Sequence, residues 1–261
     1  MAKIEHKDLL DAGVHFGHLT RKWDPKMAPY IFMEKNGIHI LDLNKTIDCL
    51  EEASNAIRQV VKSGRKIMFV ATKKQAREIV TEQAKRLRMP YVTDRWLGGM
   101  LTNFATIRKS LKKLSSIDKM MKEDTYKNLA KRERLMISRD KVKLERILGG
   151  ISDLTRLPAA MFVVDIKREH IAIKEAHKLN IPIFAMVDTN SDPNQVDFPI
   201  PSNDDAFKSI ELIMNHIGKV VEEGLNERKK EKEEQKDREE ANAKKKADQK
   251  EEADQKEEAA K

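Results

Sequence analysis

The sequence predicts an α/β protein: a doubly wound parallel sheet flanked by helices, with an inserted antiparallel coiled-coil helical hairpin and a charged C-terminal tail. Three observations predict it. Short, almost wholly apolar runs (residues 66–71, 160–165 and 183–187) alternate with amphipathic helical stretches, the pattern of strands buried on both faces. Between residues 105 and 151 the apolar positions recur every three or four residues and the rest is mostly basic. From Asn226 onward no apolar stripe survives.

The elements follow in order. Gly37-Ile38-His39-Ile40-Leu41 is a short strand, and Asn44 caps a helix that runs through Lys62 and ends at Gly64. Residues 66–71 form a buried strand, residues 75–87 a helix closed by Pro90, and Tyr91-Val92 a short strand. Phe104, Ile107, Leu111, Leu114 and Ile117 mark the first hairpin helix. A break near Glu123-Asp124-Thr125 precedes a second stripe of Ile137, Leu144, Leu148 and Ile151, which Gly149 and Gly150 interrupt. A strand at 160–165, a helix at 168–179 and a strand at 183–187 come next. Ser202 caps a final helix from Asp204 to about Glu223. The chain thus divides into a discontinuous α/β domain (1–104 and 152–225), the hairpin (105–151) and the tail (226–261), a solvated helix or a disordered segment.

Charge locates the functional surface. The 261 residues carry a formal net charge of +8. The tail holds 12 basic and 13 acidic residues, so the excess lies in the body. Residues 105–152 alone hold 14 basic and 6 acidic residues. Arg108, Lys109, Lys112, Lys113, Lys119, Lys131, Arg132, Arg134, Lys141 and Arg146 stand on the outer faces of the hairpin, which read as a surface of one sign. Such a surface suits a polyanion. No apolar run is long enough to span a bilayer and no leader is evident, so the expected setting is the cytoplasm, with no membrane partner. The single cysteine, Cys49, excludes an intrachain disulfide and falls at helical spacing among core positions.

Enzymatic readings find little support. The turn after the strand ending at Val70 reads Ala71-Thr72-Lys73-Lys74-Gln75, without glycine, and no P-loop or dinucleotide fingerprint occurs. Gly98 and Gly99 make a tight turn that positions the hairpin. The stretch opening at Asp188 lacks the glycine and glutamate of an EF-hand loop, having Pro193 and Pro199 there. The alternative is an enzyme using a strand-end pocket on a phosphorylated ligand.

No cofactor is required, but a divalent cation has a candidate site. Asp188, Asp204 and Asp205, with Asp165 and Asp192 nearby, belong to strand ends and helix starts, which share one edge of a doubly wound sheet. His18 can approach from the N-terminal loop. An all-oxygen set suits magnesium, and His18 turns it toward zinc. The rival is that Asp204 and Asp205 only satisfy backbone N–H groups at a helix start.

His15 and His18 lie beside Arg21, Lys22, Trp23 and Lys26, a set suited to bases and phosphates. Burial is expected for Phe16 and Trp96. Three stretches carry a family resemblance. They are Gly13-Val14-His15-Phe16-Gly17-His18 with Trp23-Asp24-Pro25-Lys26-Met27; Trp96-Leu97-Gly98-Gly99-Met100-Leu101-Thr102-Asn103-Phe104; and Asp188-Thr189-Asn190-Ser191-Asp192-Pro193 through Pro199-Ile200-Pro201-Ser202-Asn203-Asp204-Asp205. In order and spacing they resemble the bacterial small-subunit ribosomal protein S-two family over about residues 1–225. The resemblance implies a non-enzymatic structural role and binding to small-subunit ribosomal RNA near the head–body junction. It also implies contact with other small-subunit proteins, including a docking surface for the large messenger-capturing one. Arg95 and Asn103 are further RNA-binding candidates. The tail lies outside the resemblance.

Overall fold

The computed structural model describes residues 4–258 apart from 124, 125, 127 and 128. The expected helix break at Glu123-Asp124-Thr125 therefore falls partly outside the described residues. A five-stranded parallel sheet runs in the order β5-β4-β6-β7-β8, from Tyr91–Val92 (β5), Ile67–Val70 (β4), Ala160–Val164 (β6), Ile183–Val187 (β7) and Phe198–Pro201 (β8). The last strand is two-prolined and escaped the sequence reading. It sits at the sheet edge, where a missing N–H costs no ladder bond.

Alternation along the strands divides the core. Phe69, Phe162 and Phe184 face α2 (Leu43–Lys62), α3 (Lys74–Leu87) and the final helix α7 (Phe207–Glu258). Met68, Met161, Val163 and Ala185 face α6 (His170–Lys178) and the roots of the hairpin, α4 (Phe104–Met120) and α5 (Lys131–Leu148). Both faces are covered, which is why these strands read as unbroken apolar runs.

Several boundaries differ from expectation. The first long helix is capped by Asp42, whose carboxylate accepts from Asn44 N–H at 3.0 Å; Asn44 is the second residue of the helix. The last helix starts at Phe207, not Asp204, and Asn203 accepts from the N–H groups of Asp205 and Ala206 while Ser202 bonds back to Ile200 O. That helix continues to Glu258, and beyond residue 226 it pairs Glu227 with Arg58 and Glu231 with Lys62 on α2. Such exposed pairs are worth about 0–1 kcal/mol each.

Ahead of the sheet, His6–Asp11 (α1) and a three-stranded antiparallel ribbon, order β1-β3-β2, fold over the carboxyl ends of the parallel strands. Only β3 (Ile38–Leu41) was legible; β1 (Phe16–Leu19) and β2 (Ile31–Lys35) were not. His18 N–H donates to Thr189 Oγ1 at 2.8 Å and Asp24 N–H to Thr189 O at 2.8 Å, tying the ribbon to the loop after β7. Gly17 permits this approach, since a β-carbon there would lie 2.5 Å from the Thr189 methyl. Phe16, expected to be buried, points outward beside His15 because Gly17 occupies the tight side of the strand.

One carboxylate aims the hairpin. Glu175 of α6 accepts from Trp96 Nε1 (3.0 Å) and from the N–H groups of Gly99 (2.7 Å), Leu101 (2.9 Å) and Thr102 (3.0 Å). Burial alone would raise its pKa, but these donors hold the carboxyl below the ordinary range. Gly99 takes φ +85°, which turns the loop around the carboxylate. Glu175→Ala strands several donors at about 1–3 kcal/mol each. A fall in melting temperature of roughly 6–15 °C is expected; a thermal melt within 2 °C of wild type would refute this account.

Candidate functional site

The carboxyl edge of the parallel sheet gathers charge. Lys73 follows β4, Asp165 follows β6, Asp188 follows β7, and Asp204 and Asp205 follow β8. Lys73 Nζ lies 2.7 Å from Asp204 Oδ1, 2.5 Å from Asp205 Oδ1 and 3.4 Å from Asp165 Oδ2. His18 arrives from the ribbon. Its Nδ1 is 3.0 Å from Asp188 Oδ2, and its Nε2 is 3.3 Å from Asp205 Oδ2 and 3.1 Å from Asn190 Nδ2.

The cluster holds more negative charge than its two cationic groups cancel. Burial, then the nearby Asp188 and Asp165, push the Asp204 carboxyl up to about 7, although Lys73 works against them. Burial disfavours the Lys73 charge, yet Asp204, Asp205 and Asp165 outweigh it and raise its pKa. The Asp188 carboxylate close to its ring raises that of His18 against burial. Asp204 divides its oxygens: Oδ1 meets Lys73, whereas Oδ2 is buried without a hydrogen-bond partner among the described residues. Asp188 Oδ2 also lacks a well-directed hydrogen bond, although His18 Nδ1 is near. One ligand atom each from His18, Asp188 and Asp204 lie within 4.8 Å of one another.

The structure thus brings together His18, Asp188, Asp204 and Asp205. Neither aspartate supplies the cap at the helix start, because Asn203 does. Lys73 was missed. Its signal was its position, since the turn that follows a buried strand must emerge at this edge.

The other candidates scatter. Arg21, Lys22, Trp23 and Lys26 lie exposed on the ribbon, with Lys26 Nζ 2.6 Å from Asp192 and Trp23 against His39. His15 is half-buried in a groove with Leu10, Phe32 and Met33, away from these cations. Arg95 and Asn103 are exposed at the foot of the hairpin. On the hairpin Arg108, Lys109, Lys112, Lys113, Lys119, Lys131, Arg132, Arg134 and Arg146 are exposed and Lys141 is half-buried. Contrary to the expectation of a surface of one sign, carboxylates interleave with the cations: Lys141 pairs with Asp118, Lys113 with Asp140 and Arg146 with Asp94. The two helices face each other, so each supplies carboxylates to the other's cations.

Residues 9–224 match the family described as ribosomal protein S2. The chain belongs to the ribosomal protein S2 family. It is 71% identical over 232 residues to the small ribosomal subunit protein uS2 of Cytophaga hutchinsonii, covering 89% of this chain and 91% of that protein. It is 64% identical over 231 residues to its namesake in Flavobacterium johnsoniae, covering 88% and 91%. Against that of Christiangramia forsetii it is 64% identical over 229 residues, covering 88% and 77%. The S2 family is a family of structural ribosomal proteins, not enzymes, and every residue of the charged cluster lies inside the match. Among the described residues no helix is long and apolar enough to cross a membrane.

The S2 cluster has a measurable pH signature. Asp204 keeps its proton up to about pH 7 when folded, against an ordinary 3.8. Between roughly pH 4 and 7 the folded chain therefore holds more protons than the unfolded one, and stability falls as pH rises. The His18 contribution, complete below its ordinary 6.5, fades as pH rises through its raised folded value. In chelator, the melting temperature of wild type relative to Asp204→Asn is expected to decline across pH 4–7 and then level off. A difference independent of pH would mean that Asp204 is ionised throughout.

Proposed function

We propose that this chain binds small-subunit ribosomal RNA through its basic hairpin and ribbon, in the bacterial cytoplasm, and helps dock the large messenger-capturing protein of that subunit. The observation that carries the RNA reading is the array of exposed Arg and Lys side chains on the hairpin. Cations there release counterions from phosphates, and a projecting helical hairpin can lie against an RNA helix by shape. His15, Arg21, Lys22, Trp23, Lys26, Arg95 and Asn103 extend the surface toward the body. Protein docking is supported by a different patch. Leu10, Phe16, Phe32 and Met33 are exposed around the groove that holds His15, an apolar surface of the kind that marks protein contacts.

Co-sedimentation with small subunits tests the RNA reading. Replacing Lys112, Lys113, Arg132 and Arg134 with Gln should weaken incorporation and lower the slope of log affinity against log salt by about 3, at roughly 0.7–0.9 per phosphate contact. Unchanged incorporation across the salt range would rule the hairpin out.

His18, Asp188 and Asp204 make a divalent-cation site the supported reading of the cluster. One imidazole with carboxylate oxygens suits zinc better than magnesium. The free Oδ2 of Asp204 supports it, as does Asp205, which stands on the other ring nitrogen of His18 and would orient the imidazole rather than join the ligands. The three ligand atoms must draw together to reach bonds of about 2.0–2.2 Å. Elemental analysis of protein dialysed against zinc should find one ion per chain, lost in His18→Ala. Metal-free wild-type protein would leave compensation to Lys73 and His18 alone.

A further inference from the structure

We infer that a groove from hairpin helix α5 into the crevice between β4 and β6 holds a single-stranded run of RNA phosphodiester backbone. The inference rests on the RNA-binding reading and specifies where one strand enters the body. The chain leaves β4 toward β5 and leaves β6 toward β7, in opposite directions. That divergence opens a crevice at the carboxyl ends of the strands, the place where doubly wound sheets take ligands. Here it is a cavity of about 460 Å³ lined by Thr72, Arg77, Arg95, Arg146, Arg168 and Glu169. A second cavity of about 550 Å³ shares Asp94, Arg95 and Arg146 with it and continues along α5 past Arg139 and Lys143. Six cations line the joined groove against two carboxylates, Asp94 and Glu169.

The cations are not equivalent. Arg77 is held by Asp94, with Nη1 at 3.1 Å from Oδ1, and by the carbonyl oxygens of Thr72 and Asp94, so it forms a wall. Arg146 shares Asp94 Oδ1 at 2.9 Å. Arg168 donates Nε to Thr72 Oγ1 at 2.9 Å, and its terminal nitrogens meet no acceptor among the described residues. Arg95 is exposed and pairs with no carboxylate among them. These two guanidinium forks present the planar donor pairs that phosphate oxygens accept. Glu169 is spent on Thr72 N–H and Oγ1, which fixes the floor. Exposed Val142 and Ile171 at the margins offer apolar surface to a sugar or base. A groove walled by a helix on one side and strand ends on the other admits one strand and its backbone charge.

The test uses the intact chain, a labelled twelve-nucleotide oligouridylate and a duplex RNA of the same length, with affinity followed over a salt series. The single strand is expected to bind more tightly than the duplex does in this groove, a preference that Arg95→Gln with Arg168→Gln removes. Loss of two phosphate contacts should weaken the oligomer about tenfold and cut the salt slope by about 1.4, at roughly 0.7 per contact for single strands. Arg95→Gln alone, whose side chain supports no fold contact, should give half that slope change and keeps the test valid if Arg168→Gln unfolds. An unchanged slope in Arg95→Gln, equal loss of duplex binding, or displacement of the oligomer by equimolar uridine monophosphate would overturn the proposal. A wild-type chain that fails to co-sediment with small subunits defeats the broader reading; one that co-sediments while the groove variants bind the oligomer normally defeats only this one.

Discussion

Lys73 Nζ stands between Asp204 and Asp205, with Asp165 just beyond, and the carboxyl edge of the sheet depends on it. A parallel sheet covered on both faces delivers all its strand ends to one rim. Here four aspartates follow three of those ends, and close carboxylates out of water repel. A cation from a fourth strand end lets them coexist. With the rim neutralised in part, Asn203 can bond Val14 O and Gly13 O, and the N-terminal ribbon closes over the cluster with His18 inside. Removing the ammonium would leave the Asp204 carboxyl buried without a partner, which costs more than any exposed pair on this surface contributes.

A second buried charge controls the outward half of the molecule. The hairpin joins the body through a loop whose donors converge on Glu175, so its direction is set by the short helix α6 on the same side of the sheet. Trp96 and Leu101 are buried in that arrangement, and the roots Ile107 and Leu148 continue the core into the hairpin. Further out, α5 exposes Leu135, Met136 and Val142, and α4 exposes its Lys and Arg side chains. The hairpin therefore begins from a buried, hydrogen-bonded base, and the exposed cations are presented from it.

The two charged regions have opposite character. The rim cluster is compact, acidic and closed by His18, whereas the groove beneath α5 is open and basic. Both lie at the carboxyl side of the strands, the groove at the crevice between β4 and β6 and the cluster at the ends of β4 and of β6 to β8.

Much of this was legible in the residues alone. Apolar runs with helices between them imply a sheet covered on both sides, because no other arrangement buries every side chain of a strand. The helical period with its basic excess announced the hairpin, and the motifs from Gly13 to Asp205 announced the family. Other features depend on groups distant in the chain. Lys73 and Asp204 are 131 residues apart, and Trp96 and Glu175 are 79 apart. Neither pairing has a local period or spacing. The edge strand β8 was hidden by its prolines and β1 by Gly17, residues that disfavour strands except at an edge or a close approach. Local sequence thus determined which segments are helix or buried strand, since that follows from short-range periodicity. Only the tertiary structure decided which charges meet, because strand order brings those residues to one rim.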